Sequence, residues 1–170
     1  MAGNHERFVG RGFCDHSIWH NDEAKEKVER YTTTEEFSSN LERYIQEVRA
    51  RKATPILLTP VAIRKFDSTG QLVDTHLQYS ELVRAVARKT EVDFLDIDQL
   101  SQQLYRQFGA EDSKWLFLQL SPGDHPNYPS GKIDNTHFNE LGARLIAQLV
   151  LKELRVRVPA LATYIKSSGN

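Results

Sequence analysis

The chain has 170 residues, of which 39% are hydrophobic and 26% charged, a length and composition typical of a single globular domain with a sizeable core. The formal net charge is −1, from 22 basic and 23 acidic residues, which excludes a strong field that would draw the chain to nucleic acid or an anionic membrane. The one cysteine, Cys14, excludes an internal disulfide and a thiolate metal cluster.

The first half of the chain predicts a helix, a buried strand and a second helix. The segment from Thr33 to Glu36 fits a capping box, and apolar residues at helical spacing continue the helix to near Lys52. The run from Pro55 to Pro60 is short, apolar and bracketed by prolines, which favours a buried parallel strand. A polar, turn-rich loop over 66–70 then leads to a helix from about Gln78 to Lys89.

The second half continues the alternation. Val92 to Ile97 predicts a second buried strand, and Leu100 to Phe108 a third helix. A short helix is expected from Asp112 to Leu118, a loop over 121–136, and a last helix from near Asn139. Helices that alternate with strands predict an α/β fold with a parallel sheet covered on both faces.

The predicted sheet is small, because only two strands are clear. A third strand around Phe13 to Trp19 would contain Asp15, His16 and Ser17, which are poor strand formers. A sheet with so few strands would expose apolar edges and faces. We therefore expect either a marginally stable chain or a homodimer that covers these surfaces.

The first candidate for chemistry is the segment Asp134-Asn135-Thr136-His137, in a predicted loop just before the last helix. A histidine there can act as a general base, and an aspartate three residues earlier, across a tight turn, can accept its Nδ1 proton and orient the ring. The carboxyl-terminal edge of a parallel sheet is where α/β folds place their sites. The alternative is a turn-capping aspartate beside an ordinary surface histidine.

Two further groups are weaker candidates. Asn21, within His20-Asn21-Asp22, could donate a hydrogen bond to an oxyanion or lie in a polar turn. Arg64 with Lys65, together with His76 and Tyr79, could line a substrate cleft and bind polar or acidic groups. Alternatively, this loop is only solvated and Tyr79 belongs to the core.

A metal site is the least supported interpretation. His20, Asp22, Asp134 and His137 could form a mixed nitrogen and oxygen site, but their spacing is not that of a ligand set. The sequence therefore predicts no metal and no cofactor.

Taken in order, these segments resemble the SGNH (GDSL-like) hydrolases, and specifically their rhamnogalacturonan acetylesterase branch. The resemblance covers roughly residues 20–155, and the combination is more specific than any one piece. The matching segments are His20-Asn21-Asp22, Arg30-Tyr31-Thr32, Thr54 to Val61, Arg64-Lys65-Phe66, Thr75-His76 with Tyr79, Phe94-Leu95-Asp96, and Asp134 to Phe138 with Gly142-Ala143.

The resemblance implies a three-layer α/β/α fold of the flavodoxin-like type with a parallel sheet. It also implies a serine mechanism, without a metal, that removes acetyl groups from plant pectic polysaccharide. In that mechanism His137 is the general base, Asp134 its partner, and Asn21 an oxyanion-hole donor. The expected partner is an acetylated polysaccharide or oligosaccharide.

The chain departs from the family pattern in its first 19 residues. It contains no Gly-Asp-Ser, the block that carries the family's nucleophile, and its one Gly-Asp, at Gly123, is followed by a histidine. Trp19 stands where the family has a glycine before His-Asn-Asp, and Leu77 where it has a glycine after Thr-His. We therefore divide the chain into a non-matching segment 1–19, an incomplete hydrolase-like domain 20–158 and a tail 159–170.

These departures leave the nucleophile unidentified. Ser17 lies close to Asn21 in sequence, but nothing around it predicts the strand-to-helix turn that presents a nucleophilic serine. We expect an esterase by family whose activity is impaired, or alternatively a non-catalytic remnant of the fold that binds saccharide or a partner chain.

Location in the cell is predicted from the same N-terminal region. The sequence has no apolar run of about 18 residues and no signal-like apolar block before Cys14, so as given it predicts a cytoplasmic protein. Secretion is the alternative if the N-terminus is incomplete, because a signal peptide would then lie in the missing part.

Overall fold

A computed structural model describes residues 32–165 together with two short N-terminal strands. A 3-10 helix, Ser113–Leu116, joins the third α-helix to the fifth strand. The elements are, in chain order, β1 (Arg7–Phe8), β2 (Phe13–His16), α1 (Thr34–Ala50), β3 (Thr54–Leu58), α2 (Leu77–Thr90), β4 (Asp93–Leu95), α3 (Ile97–Asp112), β5 (Phe117–Leu120), β6 (Lys132–Phe138), α4 (Glu140–Arg157) and α5 (Pro159–Ala162).

The main sheet has the strand order β1-β2-β3-β4. β3 pairs in parallel with β2 on one side and with β4 on the other, while β1 pairs antiparallel with β2. In this register Ile56 lies opposite Asp15 of β2 and Asp93 of β4. The expectation of two strands was therefore wrong, because Phe13–His16 forms a strand despite its weak propensity. Strand preference depends on the neighbouring strands more than on the residue itself.

Helices cover both faces of this sheet, which confirms the three-layer α/β/α fold. The consecutive residues Ile56 and Leu57 point to opposite faces, as the pleat requires, and both are buried. Leu57 packs with α1 and α2, in a cluster that includes Phe37 and Val83. Ile56 packs on the other face, in a cluster that includes Ile146 of α4. Burying each such side chain contributes about 1.5–3 kcal/mol to folding.

The predicted start of α1 is confirmed in detail. The Thr33 hydroxyl accepts a hydrogen bond from the Glu36 backbone N–H at 3.2 Å, and the Glu36 carboxylate accepts one from the Thr33 N–H at 3.1 Å. This capping box satisfies two backbone donors that the first turn leaves without helical partners.

The predicted strand Val92 to Ile97 ends earlier than expected. Asp96 caps α3 instead, because its carboxylate accepts a hydrogen bond from the Gln99 N–H at 3.3 Å. Near its end α3 is kinked at Gly109, where φ is +75°, a conformation that favours glycine.

The predictions for residues 112–136 were wrong in part. The expected short helix ends as a 3-10 turn at Leu116, and the chain then forms β5, which pairs antiparallel with β6. The expected loop over 121–136 ends at Gly131, because β6 begins at Lys132. This second, two-stranded sheet depends on pairing across the connecting residues 121–131, which local pattern does not reveal.

No helix among the described residues is long and apolar enough to cross a membrane. Several large apolar side chains are nevertheless exposed, including Ile133 at 81% and Val156 at 67%. The homodimer stays a prediction, which sedimentation equilibrium of the purified chain would check.

Candidate active site

The candidate residues lie where β5 and β6 lose their register. Phe117 pairs with Phe138, and Gln119 pairs with Ile133. One residue of β5 therefore lies opposite four residues of β6, namely 134–137, and these four bulge out of the two-stranded sheet. The Asp134–His137 segment was expected in a loop and lies instead inside a strand, in an irregularity of a kind often found beside active sites.

Within the bulge, Asp134 organises a tight turn with its own side chain. Its Oδ1 accepts hydrogen bonds from the backbone N–H groups of Thr136, at 2.8 Å, and of His137, at 2.9 Å. Its Oδ2 lies 2.8 Å from His137 Nδ1. The three-residue spacing therefore allows one carboxylate to hold both the turn and the imidazole ring.

The electrostatics keep Asp134 ionised. Burial alone would raise the pKa of Asp134, but the backbone N–H groups of His137 and Thr136 and the His137 ring stabilise the charged form and bring the pKa down to about 2. An ionised carboxylate only accepts hydrogen bonds, so the proton between the two side chains belongs to His137 Nδ1. In neutral His137, Nε2 is then the basic nitrogen.

The two side chains differ sharply in exposure. The Asp134 side chain is 11% exposed, whereas the His137 side chain is 77% exposed. Among the described residues, none forms a hydrogen bond to His137 Nε2. The pair thus combines a partly buried, fixed carboxylate with an accessible basic nitrogen, which is the arrangement that general-base catalysis requires.

The backbone of the bulge is held from two sides. The Gln119 side-chain amide donates to the Asp134 carbonyl at 2.8 Å. The Arg64 N–H donates to the Asn135 carbonyl at 3.1 Å, and the Arg64 guanidinium donates to the Asn135 side-chain oxygen at 2.9 Å. No sequence pattern indicates these contacts, since Arg64 and Asn135 are 71 residues apart.

α4 begins directly after the candidate residues and fixes their position. Asn139 caps α4, accepting from the Gly142 N–H at 3.0 Å, and its side-chain amide donates to the carbonyls of Trp115 and Phe117. A Cβ on Gly142 would lie 2.0 Å from the Leu116 carbonyl oxygen. Glycine therefore allows the first turn of α4 to sit against the chain that enters β5.

The other predicted cleft residues have different surroundings. The Tyr79 side chain lies in the core, edge-on to Phe37, and its hydroxyl donates to the Thr32 carbonyl at 2.6 Å. His76 is 3% exposed at the start of α2. Of Arg64, His76 and Tyr79, only Arg64 forms a hydrogen bond with the Asp134–His137 segment. Their assignment to substrate binding stays a prediction.

Several predicted residues lie outside the described part of the chain. These are the predicted oxyanion donor Asn21, the candidate nucleophile Ser17, and the candidate metal ligands His20 and Asp22. Within residues 32–165, no group of three or more His, Cys, Asp or Glu side chains could hold a metal ion.

A parallel sheet between two helical layers, with an Asp–His pair just before the helix α4, is an arrangement found in hydrolases that work through an activated hydroxyl. The model of the GDSL-like lipase/acylhydrolase family matches residues 18–145. The chain belongs to this family.

Curated relatives narrow the resemblance to the rhamnogalacturonan acetylesterase branch. The chain is 37% identical over 131 residues to the rhamnogalacturonan acetylesterase RhgT of Bacillus subtilis, covering 77% of this chain and 55% of RhgT. It is 30% identical over 139 residues to a probable rhamnogalacturonan acetylesterase, YesY, of the same organism, covering 80% and 58%. The chain thus spans a little over half the length of both relatives.

Solved structures share the fold. An acetyl xylan esterase, AlAXEase, superposes with a TM-score of 0.60 at 18% identity over 84% of this chain and 67% of its own. The acetyl-xylooligosaccharide esterase Axe2 of Geobacillus superposes with a TM-score of 0.57 at 17% identity over 84% and 59%. Catalytic mutants of Axe2 replace a serine, an aspartate or a histidine by alanine, and its aspartate and histidine are three positions apart.

Proposed function

We propose that this chain supplies the general base and its orienting carboxylate to a carbohydrate acetylesterase of the SGNH type that acts on acetylated pectic polysaccharide. The observation that carries the proposal is the 2.8 Å contact between His137 Nδ1 and Asp134 Oδ2, on a histidine whose side chain is exposed. Similarity to RhgT supports the substrate class. The Asp–His spacing of the Axe2 catalytic mutants supports the roles of the pair.

In the proposed reaction, His137 Nε2 takes the proton of a hydroxyl nucleophile as its oxygen attacks the acetyl carbonyl. The imidazolium that forms is stabilised by the Asp134 carboxylate and returns the proton to the sugar oxygen as the ester bond breaks. A water molecule, activated in the same way, then releases acetate from the acyl-enzyme. Nε2 accepts a proton in each attack, and its imidazolium form donates that proton in each departure. It is the nitrogen that the contact with Asp134 leaves basic.

The nucleophile is the part of the reaction that this sequence does not identify. No Gly-Asp-Ser occurs in the 170 residues, and Ser17 and Asn21 lie outside the described residues. Loss of one triad member lowers the rate by about 10⁴ to 10⁶. We therefore propose that this chain alone hydrolyses acetyl esters only slowly.

The proposal is tested by acetate release from acetylated rhamnogalacturonan, with acetylated xylan and an aryl acetate as comparison substrates. The variants are His137→Ala and, as a matched control, His125→Ala, which removes another exposed histidine twelve residues before His137. We expect slow release by the wild type and by His125→Ala, and release at the buffer rate by His137→Ala. Equal release by all three chains would contradict the role of His137.

A non-catalytic saccharide-binding role is the second candidate, and one cleft favours it. Its volume is about 350 Å³, and its lining combines apolar and polar groups: Phe66, Gly70, Gln71, Leu72, Arg106 and Gly109. Calorimetry with pectic oligosaccharides should then give a binding signal that Arg106→Ala weakens and that Arg144→Ala, at an exposed ion pair, leaves unchanged. No heat at millimolar ligand would count against this role.

A further inference from the structure

The residue that joins the candidate site to the rest of the fold is Arg64. It was predicted from the sequence as part of a substrate cleft, but its guanidinium is already used within the protein. Nε donates to the Ser113 hydroxyl at 2.8 Å, Nη1 donates to the Asn135 side-chain oxygen at 2.9 Å, and Nη2 donates to the Ala110 carbonyl. All three nitrogens of the planar fork therefore have an acceptor.

The surroundings of Arg64 are those of a structural cation. The residue is half-buried, and burial lowers the pKa of its guanidinium. Its partner Ser113 is fully buried at the end of α3. The Ala110 carbonyl belongs to the last turn of the same helix, where backbone carbonyls lack helical partners and attract positive charge. Arg64 is thus anchored to α3 independently of the bulge.

The contact with the bulge is made twice, once by the backbone and once by the side chain. Both the carbonyl and the side-chain oxygen of Asn135 accept from Arg64, at 3.1 Å and 2.9 Å. Asn135 lies between Asp134 and Thr136, inside the turn whose N–H groups hold the Asp134 carboxylate. Any rotation of the Asn135 peptide would misalign those N–H groups and with them the contact between Asp134 and His137.

We propose that Arg64 is a positioning residue of the Asp134–His137 pair, acting through Asn135 from an anchor on the end of α3. Its importance for catalysis rests on the function proposed above, but its effect on the geometry of the pair does not. A lysine in its place could reach one acceptor but could not bridge Asn135, Ser113 and Ala110 with a fixed fork.

The test measures the pair directly by NMR in the full chain, without turnover. Histidine ¹⁵N shifts report which nitrogen of neutral His137 carries the proton, and ¹³C shifts of the Asp134 carboxyl report its pKa. In the wild type we expect the proton on Nδ1 and an Asp134 pKa of about 2. In Arg64→Met we expect a mixture of the two tautomers and an Asp134 pKa that moves up toward the ordinary value of 3.8.

Three variants keep this test decisive. Arg64→Lys should give a shift between those of the wild type and Arg64→Met. Asn135→Ala leaves the anchor on α3 intact and should reproduce the Arg64→Met shifts, even if Arg64→Met itself does not fold. Arg144→Ala removes an exposed arginine from α4 and should change neither readout.

The opposite result is equally clear. If Asn135→Ala and the Arg64 variants melt at lower temperature but keep the wild-type His137 tautomer and Asp134 pKa, Arg64 is only a structural residue and the proposal is wrong. This outcome differs from failure of the proposed function, in which wild-type His137 keeps its Nδ1 proton but no substrate loses acetate.

Discussion

Two groups of charged residues in this fold are both built on hydrogen bonds to aspartate, but one is exposed and the other is mostly buried. The His137 turn comprises Asp134 to His137, and the Arg84 cluster comprises Arg84, Asp96 and Asp98. In each an aspartate accepts from a cationic or ionisable side chain at about 3 Å. The His137 side chain is 77% exposed, whereas the side chains of Arg84 and Asp98 are 11% and 1% exposed.

The Arg84 cluster occupies the position where a ligand site would be expected. Asp96 directly follows β4, at the carboxyl end of a parallel strand, and its neighbour Thr59 directly follows β3. Yet Arg84 donates to Asp96 through two nitrogens, to Asp98 and to Glu81. The hydrogen bonds with Asp96 raise the pKa of Arg84, and each of its three guanidinium nitrogens donates to a carboxylate. Position and charge alone therefore do not make a reactive site.

The largest expected effect in this comparison belongs to the Arg84 cluster. Arg84→Met removes the cation but leaves Asp96 and Asp98 at least partly buried, so we expect the free energy of unfolding to fall by about 3–5 kcal/mol. Urea unfolding at neutral pH would measure this. Lys89 lies on the same helix as Arg84 and forms an exposed ion pair with Glu42. Lys89→Met should therefore lower the free energy of unfolding by less than about 1 kcal/mol. Equal losses in the two variants would show that the cluster is no more structural than a surface pair.

The second effect tests the packing of the first turn of α4, which directly follows the His137 turn, against Leu116 and Phe138. In Gly142→Ala the new Cβ would lie 2.0 Å from the Leu116 oxygen and 2.7 Å from a Phe138 ring carbon. We expect the free energy of unfolding to fall by about 1–3 kcal/mol, because the first turn of α4 must move away from the backbone of Leu116. Gly70→Ala is the matched control, since its Cβ would meet no atom within 4 Å and only its positive φ would be strained. A smaller loss at Gly142 than at Gly70 would contradict the packing role.

Sequence reasoning located the main elements because their signals are local. The capping box at Thr33 marks the start of α1, and the apolar run after Pro55 marks β3. The fold class followed from the alternation of such elements. Asp96 shows where local signals end, because an aspartate after an apolar run can extend a strand or cap a helix, and its contacts with Gln99 and Arg84 decide between them.

The candidate site was predicted in its residues but not in its support. The three-residue spacing of Asp134 and His137 was readable, since one aspartate side chain can reach a backbone N–H and a ring three positions on. The strand β6 could not be predicted, because its sequence has no apolar alternation and its Ile133 is exposed. Arg64 likewise contributes through a contact with Asn135 across 71 residues, which a single sequence cannot indicate.

A smaller expected effect on stability distinguishes the contribution of the Asp134 charge from that of its side-chain shape. The pKa of about 2 in the folded chain lies below the ordinary 3.8, so the ionised form stabilises the fold. That contribution is complete above about pH 5 and is lost as the pH falls from 3.8 toward 2. Asp134→Asn keeps an oxygen acceptor for the turn but removes the charge, and we expect it to cost roughly 1 kcal/mol at pH 6 and almost nothing at pH 2. Urea unfolding at both pH values would measure this, and an equal cost at both would show that the charge has no stabilising role.

The smallest expected effect on stability is at the residue with the largest expected effect on chemistry. His137 is exposed and its ring contacts the fold through Asp134, so His137→Ala should change the free energy of unfolding by no more than about 0.5 kcal/mol. Loss of the single charge-assisted contact is offset by solvation of the Asp134 carboxylate, whose Oδ1 keeps its two backbone donors. Thermal and urea unfolding of the variant would measure this alongside acetate release. If the free energy of unfolding fell by 2 kcal/mol or more, His137 would stabilise the fold as Arg84 does. That result would contradict the prediction, because a side chain that acts in proton transfer need not stabilise the fold.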